Sequence, residues 1–191
     1  MDLTLMNLTL NTLALLGVLA SPTASAVEYR TVLPAQSAIG FEFNQMGVPI
    51  KGGFKRFVAQ MVFDPAKPEA ARAQIDIDLA SIDAGSSEAD EESAGRLWFN
   101  RSVYPRAHFV SSQIRALGNN RYEMRGTLTL KGRSRELVVP VTFSPGKTTA
   151  AFDGSFVLKR LDFGIGEGMW ADVATVANEV QVRFRIAATG K

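Results

Sequence analysis

Apolar and polar positions alternate with a period of two along most of the chain. Ile39, Phe41 and Phe43 interleave with Gly40, Glu42 and Asn44, and Ile75, Ile77 and Leu79 interleave with Asp76 and Asp78. Tyr122, Met124, Gly126, Leu128 and Leu130 share one parity, as do Phe152, Gly154, Phe156 and Leu158. Val176, Val180, Val182, Phe184 and Ile186 close the pattern, with Gln181, Arg183 and Arg185 turned away. Successive strand side chains point to opposite faces, so each run predicts a strand with one apolar face. Leu130 is followed by Lys131-Gly132-Arg133-Ser134, and alternation then resumes at Leu137, Val139, Val141 and Phe143. That is the signature of a β-hairpin around a glycine-containing break.

Turn signals separate the runs: Asp64-Pro65, Leu117-Gly118-Asn119-Asn120 and Ser144-Pro145-Gly146. Asp153-Gly154 reads equally as a turn or as a bulge within a strand, and Pro140 favours an edge position for its strand. Only residues 86–98 look helical, with Ser87 as the cap and Asp90, Glu91 and Glu92 in the first turn. The prediction is an all-β domain, a sandwich or a closed antiparallel barrel of about eight strands, with one short helical insert. No other helices are available to cover a sheet, so the apolar parity points inward, as in a barrel.

The first 26 residues fall outside this pattern. Leu13-Ala14-Leu15-Leu16-Gly17-Val18-Leu19-Ala20 is an apolar run too short to span a bilayer, and Ala24-Ser25-Ala26 forms an A-x-A cleavage pattern before Val27. The stretch ahead of the run lacks the usual basic residues. Residues 1–26 are expected to be a cleavable signal peptide and residues 27–191 one domain, destined for the bacterial periplasm. Asp2 is the only charged residue in the leader, so the remaining 165 residues carry 21 basic and 18 acidic groups. A net +3 makes no case for nucleic acid. The chain has no cysteine, which rules out disulfides, thiol chemistry and cysteine–zinc sites.

Candidate chemistry is sparse. The single histidine, His108, has no partner at metal-ligand spacing. Asp76 and Asp78 share the wet face of a strand, away from any pocket that would raise one pKa for acid–base work. Glu88, Asp90, Glu91 and Glu92 are explained by a helix start as well as by a cation. Asp162-Phe163-Gly164 has no accompanying kinase elements and reads as a tight turn with Phe163 pointing inward. Neither a G-x-S-x-G nor a P-loop spacing occurs. The 12 Phe, 2 Trp and 6 Met leave two readings open: an interior filled by side chains, or an interior that encloses a ligand.

Several segments together resemble the YceI family across roughly residues 28–188. They are Ser37-Ala38-Ile39-Gly40-Phe41-Glu42-Phe43 with Met46-Gly47, Gly52-Gly53-Phe54-Lys55-Arg56-Phe57, Phe63-Asp64-Pro65 and Asp76-Ile77-Asp78-Leu79-Ala80-Ser81-Ile82-Asp83. Tyr104, Pro105, Phe109 and Ser111 follow, then Gly126-Thr127-Leu128-Thr129-Leu130-Lys131-Gly132 and Asp162-Phe163-Gly164-Ile165-Gly166. Gln45 stands where family members often carry histidine, and Asp90-Glu91-Glu92-Ser93 stands where they often carry Asp-x-His-Leu. The resemblance implies a lipocalin-like barrel and a non-catalytic carrier for a long-chain polyisoprenoid lipid, either a quinone or a prenyl (pyro)phosphate.

On that reading Phe41, Phe43, Ile75, Ile77, Leu79, Phe109, Met124, Leu128, Leu130, Phe163 and Trp170 are the expected tunnel lining. Lys131, Arg133 and Arg135 are candidates for an anionic headgroup. No cofactor beyond the lipid or quinone itself and no metal is expected. A transient contact with a membrane or a membrane redox protein would accompany the exchange of lipid. The alternative is an exported protein-interaction module with a filled barrel and an exposed edge strand.

Overall fold

Eleven strands and one helix make up the computed structural model, which describes residues 27–190. The predicted leader lies outside the described residues. In chain order the elements are β1 (Tyr29–Val32), β2 (Ala38–Gln45), β3 (Val48–Phe54), β4 (Phe57–Val62), β5 (Arg72–Asp78), β6 (Ile82–Asp83), α1 (Ser87–Ala94), β7 (Arg106–Gly118), β8 (Arg121–Leu130), β9 (Arg133–Ser144), β10 (Thr149–Lys159) and β11 (Val176–Gly190). The strands form one antiparallel sheet in the order β4-β5-β7-β8-β9-β10-β11-β2-β3-β6, with β1 added on β11.

The sheet curls round so that its margins meet at both ends. Tyr29 of β1 exchanges backbone hydrogen bonds with Phe63, just past β4 (2.8 and 3.0 Å), which ties β11 to β4 through β1. At the opposite end β6 pairs with β3 through Gly53–Asp83 and Phe54–Ile82. β3 bends directly into β4 through Lys55-Arg56. With β3–β4 counted as one bent strand and β1 and β6 as short closers, eight long strands remain, matching the expected barrel. Closure by short segments leaves few free edges, the feature that keeps β proteins from pairing with one another.

Several sequence expectations shift locally. The β8–β9 hairpin has a two-residue tip, Lys131-Gly132, with Leu130 opposite Arg133, so Arg133 and Ser134 belong to β9. Both tip residues have positive φ (48° and 71°), the conformation of the two-residue turns that match strand twist. Leu79 leaves the strand for a 3₁₀ turn, Leu79–Ser81, whose start is capped when the Asp78 carboxylate accepts from Ala80 N (2.9 Å). The cap of α1 is Ser86, one residue earlier than expected, with Oγ accepting from Ala89 N (3.2 Å).

Asp153-Gly154 continues β10 without a bulge. Pro140 lies inside β9, opposite Glu123 of β8. The β9–β10 ladder ends at Val141–Gly154, so the missing N–H of Pro140 falls where the two strands part. The first half of β9 therefore is an edge toward β10, although the strand as a whole is internal.

The core divides along the barrel axis. One end is plugged by Tyr29, Phe63, Tyr122, Phe143 and Phe152, whose rings meet mostly edge-on at centroid distances of 5.0–6.4 Å. Such geometry adds about 0.5–1.5 kcal/mol per pair beyond area burial. The other end is not filled.

Candidate functional site: an apolar cavity capped by two tryptophans

The unfilled end contains a cavity of about 500 Å³. Its walls carry the inward parity of the strands: Ile39, Phe41 and Phe43 from β2, Leu128 and Leu130 from β8, Phe156 and Leu158 from β10, and Val180 and Val182 from β11. Ile77 of β5 and Ala107 of β7 complete the far wall. Phe41, Phe43, Ile77, Phe156, Val180 and Val182 are only half-buried although they face inward, because their outer surface is open to this space. Small-molecule pockets are typically ~300–1,000 Å³ and predominantly apolar, which this one satisfies.

The helical insert and two loops form the cap. Ala89, Glu92 and Ser93 of α1 line the cavity, followed by Trp98 and Phe99 and, from the loop before β11, Trp170. Trp98 and Trp170 lie 5.6 Å apart, centroid to centroid. Trp170 Nε1–H donates to the Glu92 carboxylate (3.0 Å), which ties the loop to the helix. The Asp90 carboxylate accepts from Ala84 N (2.6 Å), so two of the four clustered acids hold the cap in place.

Behind the tryptophans sits Arg160, 2 % exposed. Its guanidinium donates to the carbonyls of Ala177, Ile165, Gly166, Trp170 and Val176 at 2.7–3.0 Å. A buried charge is tolerated only when its donors are satisfied, and here backbone carbonyls satisfy them. Burial pushes the Arg160 pKa down from its ordinary value, but a guanidinium starts so high that it remains charged. Trp98 Nε1, by contrast, is buried with no acceptor within reach among the described residues.

Of the expected lining residues, Phe41, Phe43, Ile77, Leu79, Leu128, Leu130 and Trp170 surround this cavity. Ile75 and Met124 face a separate pocket of about 60 Å³ nearer the aromatic plug. Phe109 and Phe163 belong to the packed core and line neither space. For the strand residues Ile75, Phe109 and Met124 the cause is that parity identifies the inward face of a strand but not the height of a residue along the barrel axis. Phe163 instead sits in a 3₁₀ turn, Arg160–Phe163, and packs into the core from there.

Lys131, Arg133 and Arg135 also stand away from the cavity lining. Lys131, its side chain 8 % exposed, donates from Nζ to Gly164 O and to Glu167 Oε2. Arg133 donates to Glu167 Oε1 (2.8 Å), and Arg135 to Asp162 O (3.1 Å). The three cations thus pin the hairpin tip to the Asp162-Phe163-Gly164 turn. The Lys131 hydrogen bond, assisted by its charge and that of Arg133, holds the Glu167 carboxyl below the usual carboxylate range.

Sequence reasoning missed Arg160, Trp98, Phe99, Phe156, Val180 and Val182. The last three were available from inward parity, whereas nothing local marks Arg160 as buried.

A second, larger space of about 1,040 Å³ opens where the sheet margins part, between the start of β2 and the start of β4. Lys51, Lys55, Arg56, Asp76, Asp78, Asp83 and Arg106 line it. Lys55 pairs with Asp83 (2.9 Å) and Arg56 with Asp78 (2.8 Å), so ion pairs cross this cleft, whose lining also includes Phe54, Phe57 and Val58. Asp76 also accepts from His108 across the β5–β7 ladder (2.6 Å). Among the described residues, no three acidic or histidine side chains gather in a metal-binding arrangement.

A curled, barrel-like antiparallel sheet with a capped, mostly apolar cavity is an architecture able to enclose a small apolar molecule. The YceI-like domain family matches residues 31–188, and the chain belongs to that family. A UPF0312 protein of Vibrio cholerae is 30% identical over 188 residues, spanning 92% of this chain and 100% of the relative. Among solved structures, Burkholderia cenocepacia BcnA is 44% identical with a TM-score of 0.81, covering 83% of this chain and 99% of BcnA. A polyisoprenoid binding domain from Saccharophagus degradans, implicated in plant cell wall breakdown, shares the fold at 17% identity, with a TM-score of 0.64 over 87% of this chain and 100% of that domain.

Proposed function

We infer that this protein is a non-catalytic carrier that holds a long-chain polyisoprenoid lipid, a quinone or a prenyl (pyro)phosphate, in the cavity beneath Trp98 and Trp170. The observation that carries this reading is the apolar space of about 500 Å³, onto which inward-facing side chains such as Phe41, Phe43, Ile77, Phe156, Val180 and Val182 open while only half-buried. Empty apolar volume is costly in a folded core, which is why interiors are normally close-packed. The groups that border it are mostly aliphatic and aromatic; of the polar ones, Arg160 is engaged by backbone, Glu92 by Trp170 and Ser93 by Asp90 O, with Gln45 and Glu88 also on the lining. None forms a nucleophile–base pair. The description of the Saccharophagus relative as polyisoprenoid-binding agrees with this reading at the level of the fold.

Energetics favour a carrier. Removing one CH₂ from water is worth about 0.8 kcal/mol, so a prenyl tail gains strongly against water. A tail that leaves a bilayer leaves an equally apolar medium, so the net transfer is small and reversible. That suits collection and release at membranes. We place this exchange in the periplasm, on the strength of the apolar leader-like segment and the A-x-A pattern ending at Ala26.

The deciding experiment is native mass spectrometry and organic extraction of protein purified from the periplasm. A bound, extractable species of several hundred daltons is expected. Its reproducible absence from well-folded protein would favour the interaction-module reading, for which the first half of β9, unpaired toward β10 beyond Pro140, supplies a candidate edge. Location is tested separately: Ala26→Asp is expected to leave an uncleaved precursor, and mature protein that begins at Met1 or Met6 would overturn it.

A further inference from the structure

The apolar cavity and the cleft at the sheet margins share two lining residues, Ile39 and Phe54. These are direct cross-strand partners on β2 and β3, Ile39 buried and Phe54 half-buried against the core. They form the partition between the two spaces. The strip of sheet beside them carries little side chain, since Gly40 pairs with Gly53 and Gly52 with Phe41. Across the cleft, β4 has a ladder with β5 only, so no ladder joins it to β2 among the described residues. At this seam the barrel is shut by two side chains and not by backbone pairing.

The cleft is amphipathic. Ile39, Phe54, Phe57 and Val58 give it apolar surface, and Lys51, Lys55, Arg56 and Arg106 set four cations against the three carboxylates of Asp76, Asp78 and Asp83. Each carboxylate already holds a donor: His108 on Asp76, Arg56 on Asp78 and Lys55 on Asp83. Lys51 and Arg106, both exposed, form no ion pair among the described residues, and Arg106 bears on Asp76 and Asp78 only as a nearby charge. On the cap side the exposed residues of the cavity lining are Glu88 and Glu92. An anion is therefore repelled at the cap and attracted at the seam.

We propose that the cleft between β2 and β4 is the headgroup site of the carrier and that its ligand is a prenyl phosphate. The phosphate rests on Lys51 and Arg106, and the tail passes Ile39 and Phe54 into the cavity. Arginine forks onto phosphate oxygens and lysine adds a point charge, whereas a neutral quinone head gains nothing from either. The Phe54 ring packs on Phe41 (5.6 Å) and Phe99 (6.4 Å), so its rotation opens the partition without moving a strand. The site rests on the lipid-carrier reading and narrows its two lipid classes to the anionic one.

The test is loading from phosphatidylcholine vesicles with a long-chain prenyl phosphate and with the prenol of the same tail, read by native mass spectrometry. Inorganic phosphate serves as competitor. The double variant Lys51→Ser, Arg106→Ser, at exposed sites, is expected to lower loading of the phosphate on the order of 5-fold, more at low salt than at high. The prenol is expected to stay within about 2-fold of wild type. Phe54→Ala is expected to speed uptake of both lipids by about 3-fold or more, and Phe54→Leu acts in the same direction if the alanine variant does not fold. Unchanged phosphate loading in the double variant, or equal losses for both lipids, would overturn the headgroup site while leaving the carrier reading intact. Uptake unaffected by the Phe54 variants would overturn the side passage. Inorganic phosphate that competes as well as the prenyl phosphate would make the cleft a free-anion site and overturn the lipid assignment. Failure of both lipids to load wild-type protein would remove the carrier reading and the headgroup site together.

Discussion

The guanidinium carbon of Arg160 lies 5.9 Å from the ring centroid of Trp98, so a buried cation stands directly behind one side of the cavity cap. The carbonyls that hold it come from the turn after β10, from Trp170 and from the start of β11. One side chain therefore organises the loop that brings Trp170 over the cavity. Lysine has three donors and no planar fork, so Arg160→Lys leaves carbonyls unpaired in a low-dielectric site. Arg160→Lys and Arg160→Met are expected to lower stability by about 3 kcal/mol or more, measured by urea unfolding. Changes below about 1 kcal/mol would assign the loop geometry to other contacts.

Parity across β8 separates ligand contact from surface. Leu128→Asp places an unpaired carboxylate in the cavity wall and is expected both to displace lipid and to destabilise the barrel by several kcal/mol. Phe41→Asp is expected to do the same. Thr129 points the other way, its hydroxyl within 2.8 Å of Ser134 Oγ, and Thr129→Asp is expected to leave lipid content unchanged. Extraction and mass analysis of the three variants decides it, and equal retention in all would exclude this face as the ligand boundary.

The hairpin cations act as a staple. Replacement of Lys131, Arg133 and Arg135 with Ser is expected to reduce stability by about 1–2 kcal/mol, chiefly through Lys131, the most buried of the three. It is expected to change the binding of a prenyl pyrophosphate and a neutral quinone equally. A selective loss of the pyrophosphate, larger at low salt than at high, would return these residues to the headgroup role.

Acid sensitivity follows from two carboxylates with depressed pKa values. Burial pushes Asp76 up, but hydrogen bonds from His108 and Gln74, with the nearby His108 and Arg106 charges, outweigh it and leave the carboxyl below its usual range. Glu167 is depressed by Lys131 and Arg133. A carboxylate that titrates lower when folded contributes stability above its unfolded pKa of about 4 and loses it as pH falls through the folded value. Asp76→Asn and Glu167→Gln are therefore expected to flatten the acid limb of the stability curve below about pH 4. Chemical denaturation over a pH series measures this, and an unchanged acid limb in the double variant would count against it.

Met46 occupies the tip of the β2–β3 hairpin at φ 48° and is 72 % exposed, followed by Gly47 at φ 80°. Asparagine suits the first position of such turns far better than an unbranched apolar side chain. Met46→Asn is expected to raise stability by about 0.5–1 kcal/mol, read from the thermal midpoint. A loss of stability would reveal a packing role for the methionine side chain that its exposure does not show.

The longer strands with clean alternation and their inward faces were legible in the chain, because period-two burial is a local property that each segment carries alone, whereas the short or irregular β1, β3, β4 and β6 carry too little of it. The inward facing of Leu128 and Leu130 was legible in this way, and so was a glycine-containing break after Leu130, although the sequence marks it as Lys131–Ser134 and the turn is two residues long. Axial position was not, since Ile75 and Ile77 share a parity yet face different pockets. Tertiary structure alone also decided the fate of the charges. Lys131 reads as a headgroup candidate and nothing singles out Arg160, until carbonyls from other segments converge on both. A charged side chain is exposed or buried according to the partners that chain folding brings within about 3 Å, and local sequence does not encode those partners.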